Sequence, residues 1–202
     1  MRTLFRQKLT KINRLLILGV GTFLISVYFI PIWSIYLTAP QYPEGLGMKI
    51  WINNVLGDTP YDLQNINLLN HYIGMKEIVS DSIPELLFMP YVLGYLIFGA
   101  FITEIIPRVG MAFLGILNLA LVGIVGFYDF WRWEYNYGHN LNPDAPIIVE
   151  GMAYQPPLLG CKEMLNITAC SYPSYGGYLL FASLLILIYI IWSENKRIRH
   201  EM

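Results

Sequence analysis

Residues 127–157 read FYDFWRWEYNYGHNLNPDAPIIVEGMAYQPP. An apolar run ends where this stretch begins. Within eight positions it places Asp129, Arg132 and Glu134 among Phe127, Tyr128, Phe130, Trp131 and Trp133. Trp and Tyr at this density mark a membrane–water interface. The charges, His139, Met152 and the Pro-Pro pair that follow exceed what a connector needs. The stretch reads as the exit of a membrane span into a polar segment.

The rest of the chain fits that reading. Of its 202 residues, 55% are hydrophobic and only 13% are charged, against about 25% charged in soluble domains. Before the stretch lie three apolar runs, and after it one more. The first, about 15–37, is LLILGVGTFLISVYFIPIWSIYL. It carries no charge and follows a basic flank of Arg2, Arg6, Lys8, Lys11 and Arg14. It is too long for a signal-peptide core and ends in aromatics, so an uncleaved helix is expected. The second run covers about 84–106, with Pro90 inside it and Glu104 near its end. The turn at 107–110 is minimal, so a third span at about 111–131 forms an antiparallel hairpin with the second. The fourth run covers about 176–192. The expected fold is therefore an all-α membrane protein, with four transmembrane helices under a small extracytoplasmic cap. Two loops, 38–83 and 132–175, form that cap, with room for short β-strands such as MKIWINNV.

Lys and Arg counts orient the spans. The N-terminal flank has the five cations above, the hairpin turn has Arg108, and the C-terminal tail has Lys196, Arg197 and Arg199. The longer polar segments carry only Lys49 and Lys76, and Arg132 and Lys162. Both termini are expected in the cytoplasm and both loops outside, as in a multi-pass protein of a bacterial inner membrane. The net charge of −1 gives no basis for binding nucleic acid.

No nucleotide-binding, hydrolase or zinc-protease motif occurs, so no enzyme activity is expected. The absence of CxxCH excludes covalent haem attachment. Soft metal ligands are the more informative pattern. The sequence LQNINLLNHYIGMKEI reads as a short amphipathic helix or helical turn, and on a helix His71 and Met75, at i and i+4, share one face. An imidazole and a thioether so placed suit copper, above all Cu(I). His139 and Met152 are the second candidate pair. The competing reading treats the methionines as packing residues and each histidine as a satisfied hydrogen-bonding group. Cys161 and Cys170 match no zinc spacing, and in an oxidising compartment a disulfide is expected before metal binding. Arg132, Glu134 and Glu44 are candidates for positioning the ligands. For Asp129 and Arg132 the simpler reading is an interfacial ion pair.

Four strings, PIWSIYLTAPQYPEGLGMKIW, LNHYIGMK, DFWRWEYNYGHNL and GMAYQPPLLG, span much of the chain. Through them the chain resembles a family of small bacterial inner-membrane proteins encoded with nitrous oxide reductase and its copper-maturation factors. The resemblance implies a setting in denitrification and a periplasmic partner, either a copper chaperone or nitrous oxide reductase. It assigns no role to any residue, and the cysteines stand outside it. The expected function is an accessory membrane protein that supports nitrous oxide reductase maturation or activity by transient Cu(I) binding or delivery. The alternatives are a metal-free anchor or docking subunit of a complex, and a quinol-linked electron-transfer subunit.

Overall fold

A computed structural model describes residues 5–201, with side chains through Arg199. Arg2 of the basic flank lies outside the described residues. The elements run α1 (Lys11–Ser26), β1 (Trp33–Ala39), β2 (Tyr42–Ile50), β3 (Val55–Gly57), α2 (Asp62–Tyr72), a 3-10 turn (Ser80–Ser82), α3 (Glu85–Ile105), α4 (Val109–His139), β4 (Gly160–Met164), β5 (Ile167–Pro173) and α5 (Tyr175–Glu201).

This overturns the expected all-α fold with four spans. Among the described residues, three helices are long and apolar enough to cross a membrane: Glu85–Ile105, Val109–His139 and Tyr175–Arg199. The protein is thus a membrane protein by the length and composition of these helices. The first apolar run is not one helix. α1 stops at Ser26 after 16 residues, roughly 24 Å at 1.5 Å per residue, short of the ~30 Å hydrocarbon thickness. Pro31 follows the turn after it, and the remainder, WSIYLTA, becomes β1. β1 is the middle strand of its sheet, and its first three residues are buried. A strand buried on both faces reads as a continuous apolar run, which hydropathy cannot tell from helix.

The sheet is antiparallel throughout, in the order β3-β2-β1-β5-β4. On β1, Ile35 lies opposite Met48 of β2 on one side and Ser171 of β5 on the other. β1–β3 come from the first half of the chain and β4–β5 from the second polar segment, so the cap is one five-stranded body rather than two loops. Cys161 and Cys170 are directly opposite on β4 and β5 and form a disulfide, with Cα atoms 4.0 Å apart. At the join between cap and helices, the Gly176 N–H donates to the Pro31 carbonyl at 2.8 Å. A Cβ on Gly177 would sit 2.5 Å from the Ile32 carbonyl oxygen, so only glycine permits this approach.

The other end of the helices is closed by polar contacts. The Leu9 N–H donates to the Pro107 carbonyl at 2.8 Å, fastening the N-terminal segment to the α3–α4 turn. Arg14 pairs with Glu104. Glu194 of α5 is fully buried and accepts from the Thr10 N–H at 2.7 Å, Asn13 Nδ2 at 2.6 Å and Arg197 Nε at 2.9 Å. Replacing Glu194 with Ala removes the shared acceptor of three donors. It should destabilise the detergent-solubilised protein by about 3–5 kcal/mol, read as a lowered Tm. An unchanged Tm would remove this contact from the stabilising set.

Candidate functional site

The site is built on the far end of α4. The apolar part of this helix, Val109–Phe127, is about 28 Å long, close to the ~30 Å hydrocarbon thickness. The helix nevertheless continues for three more turns, through Tyr128–His139, into the cap. Its exposed side carries an aromatic ladder: Tyr128 to Trp131 at 6.0 Å between ring centroids, Trp131 to Tyr135 at 5.5 Å, and Tyr135 to His139 at 3.9 Å. Its inner side carries Glu134 and, one turn on, Gly138, both buried.

Gly138 decides what sits above Glu134. Its carbonyl accepts the Tyr154 N–H at 2.9 Å. A Cβ there would lie 2.4 Å from Gln155 N and 2.6 Å from its Cα, so the two backbones meet only because the residue is glycine. The contact seats Tyr154 in the cap interior, where it is 1% exposed. A second glycine joins the two polar segments. Gly74, at φ +79°, accepts the Asn142 N–H at 2.8 Å, and Tyr72 accepts the Ile147 N–H at 2.9 Å.

Between α4, α2 and the sheet lies a cavity of about 50 Å³, with Ile35, Met48, Asn70, Met75, Glu134 and Tyr154 among its lining. In the measure where one water needs about 10–15 Å³, it has room for a few small groups. Its polar lining is under-satisfied. Among the described residues, neither carboxyl oxygen of Glu134, nor the Tyr154 hydroxyl, nor Trp133 Nε1 has a hydrogen-bond partner. Burial pushes the Glu134 carboxyl up to about 8 and raises the Tyr154 phenol. Glu134 is therefore a neutral acid at pH 7, able to donate one hydrogen bond and accept others.

The candidate metal ligands fall in different places. α2 ends at Tyr72, three residues earlier than a shared His71–Met75 helix face requires. The Gly74 N–H bonds the His71 carbonyl and the Met75 N–H bonds the Asn70 carbonyl, a Schellman ending that turns Met75 off the helix. His71 and Met75 still line one open groove along α2, with Gln64, Asn67 and Glu77. Met75 lines the cavity beside Glu134 as well. Met152 packs against a cluster of Ile73, Tyr154, Met164 and Ala169, as does Met75. His139 is exposed, stacked on Tyr135, with Nδ1 3.0 Å from the Tyr135 carbonyl oxygen. It does not line the groove that holds His71. Glu44 is exposed on β2. Arg132 and Asp129 line a separate open groove with Glu77 and Glu85. Cys161 and Cys170 are taken up by the disulfide. Among the described residues no three His, Cys, Asp or Glu side chains group to hold a metal ion, so a metal reading rests on thioethers. The residues fit a soft ion held by few ligands, and do not fit a closed site of nitrogen and oxygen donors.

No family model matches this chain, and no curated protein matches it.

Sequence reasoning did not single out Tyr154. The available signal was Glu134 four residues before Gly138: an acid and a glycine on one helix face, the glycine admitting another backbone.

Two predictions follow from this geometry. Gly138→Ala should cost about 1–3 kcal/mol or more in unfolding free energy, because backbone rather than a flexible side chain must move. For Glu134, the folded protein keeps the proton up to about pH 8, whereas the unfolded chain loses it near 4.5. The folded state therefore binds more protons between these values. Stability is fully present below 4.5 and falls as pH rises towards 8, by a total on the order of 3–5 kcal/mol. Glu134→Gln should flatten this slope in thermal melts from pH 5 to 8. A wild-type slope retained in the variant would assign the effect to other groups.

Proposed function

We propose that the protein is a membrane-anchored accessory factor whose cap faces the extracytoplasmic side and holds Cu(I) transiently, in support of nitrous oxide reductase maturation. The observation that carries the copper part is the open groove lined by both His71 and Met75. Two soft or borderline donors at a solvent-open position suit an ion that must arrive and leave.

Three further features favour the setting. The four strings that carry the family resemblance are the cap-building pieces: the β1–β2 hairpin, the end of α2, the extension of α4 and the segment docked on Gly138. The N-terminal segment, the α3–α4 turn and the end of α5 share the end remote from the cap, and they carry Lys8, Lys11, Arg14, Arg108, Lys196, Arg197 and Arg199. Basic flanks at that end favour it as the cytoplasmic one. The disulfide suits a cap in an oxidising compartment.

The aromatic ladder of α4 favours a second reading, in which the cap docks a partner without metal. Titrating purified protein with Cu(I) against a chromogenic chelator separates the two. About one Cu(I) per chain should bind, and His71→Ala with Met75→Ala should abolish it. Stoichiometric binding that survives the double substitution rules out these ligands, and a wild type that takes up no Cu(I) leaves the docking reading.

A further inference from the structure

The cavity behind Met75 has a composition that the groove reading does not use. Its lining contains one carboxyl group, Glu134, and no Asp, Lys, Arg or His; the remaining groups able to titrate are the phenols of Tyr137 and Tyr154. It also contains three thioethers, Met48, Met75 and Met164. They do not all converge. Met48 is on β2 and Met164 on β4, three strand spacings apart in the order β2-β1-β5-β4, or about 14 Å. Met164 and Met75 instead pack into the same cluster as Tyr154. Tyr154 is seated on Gly138, one helical turn from Glu134. The Tyr137 hydroxyl donates to the Glu77 carbonyl at 3.3 Å, two residues past Met75. Two thioethers, a phenol and a carboxyl group without a hydrogen-bond partner among the described residues thus line one cavity.

We propose that this cavity is an inner binding site for one soft monovalent cation, Cu(I) or Ag(I), held by the Met75 and Met164 thioethers and the Glu134 carboxylate that line it. Thioethers select soft ions over Zn(II), Mg(II) or Ca(II). One carboxylate in an otherwise uncharged cage neutralises one positive charge, and a divalent ion would leave a net buried charge. On binding, the Glu134 O–H proton leaves to solvent and the carboxylate oxygen takes its place beside the ion. One positive charge enters and one leaves, and no electron is transferred. Met75 lines both the open groove and the cavity, so its thioether is the shared ligand between an outer position with His71 and this inner one. The inner site rests on the groove reading for the choice of a soft ion, and on Glu134, Met164 and Tyr154 for its place.

Exchange kinetics test it. Detergent-solubilised full-length protein is loaded with Ag(I) or Cu(I) and challenged with excess chelator. The expected result is two fractions, one stripped quickly from the groove and one released slowly from the cavity. Glu134→Gln, which matches the neutral acid in shape, should lose the slow fraction and keep the fast one. Met164→Leu, which conserves volume, should also lose the slow fraction. His71→Ala should lose the fast fraction and keep the slow one. A slow fraction retained in Glu134→Gln overturns the inner site. So does a wild type with fast release only, which leaves the groove reading standing. Loss of the fast fraction alone in wild type overturns the groove reading and leaves the inner site. A wild type that binds neither ion overturns both.

Discussion

The backbone of β1 has to be hydrogen-bonded along both edges, and the structure follows from how the chain meets that need. Seven residues at the end of an apolar run leave the helical path and lie between β2 and β5. One partner strand follows in sequence and the other arrives more than a hundred residues later. The second polar segment is thereby locked to the first, and the cap is one sheet. The glycines after β5 let α5 start hard against the chain that leads from α1 into β1. A single buried strand so fixes both the cap and its seat on the helices.

Much of this was legible in sequence, and the failures have physical causes. Hydropathy located α3, α4 and α5, because a helix in lipid has to be apolar over its length. It failed at 15–37, where a short helix and a central strand lie end to end and both are apolar. It also ended the third span at 131, where apolar character stops, although α4 continues to His139 by packing Phe130, Trp133 and Tyr137 on the sheet side. The amphipathic pattern runs on to Met75, but Gly74 takes the left-handed C′ position and ends α2 before it. The sequence marks Glu134 as a group for positioning ligands. Its burial was not legible, since the cavity it lines is assembled from α2, the sheet and the Tyr154 segment, far apart in sequence. The stretch YNYGHN drew attention to its histidine, while its glycine makes the structural difference.

A carboxyl group buried with both oxygens unpartnered works against folding. A leucine or methionine in that place would pack without this cost. Sequences that serve stability alone do not keep such groups in numbers, and local departures of this kind concentrate where a protein does something. Glu194 is the useful contrast. It is equally buried, but three donors converge on its oxygens, and it serves as a clasp between α1 and α5.

The sheet has two free edges, and they are unequal. β3 is three residues long and offers little backbone for another strand to pair with. β4 is five residues long, with Cys161, Lys162 and Glu163 exposed in its middle. Short strands and charged edge residues discourage strand-to-strand association. Copies of this protein crowded in a membrane, with their caps side by side, are therefore kept from joining into a continuous sheet. Whatever reaches the cap has to recognise its faces and grooves instead of extending its backbone ladder.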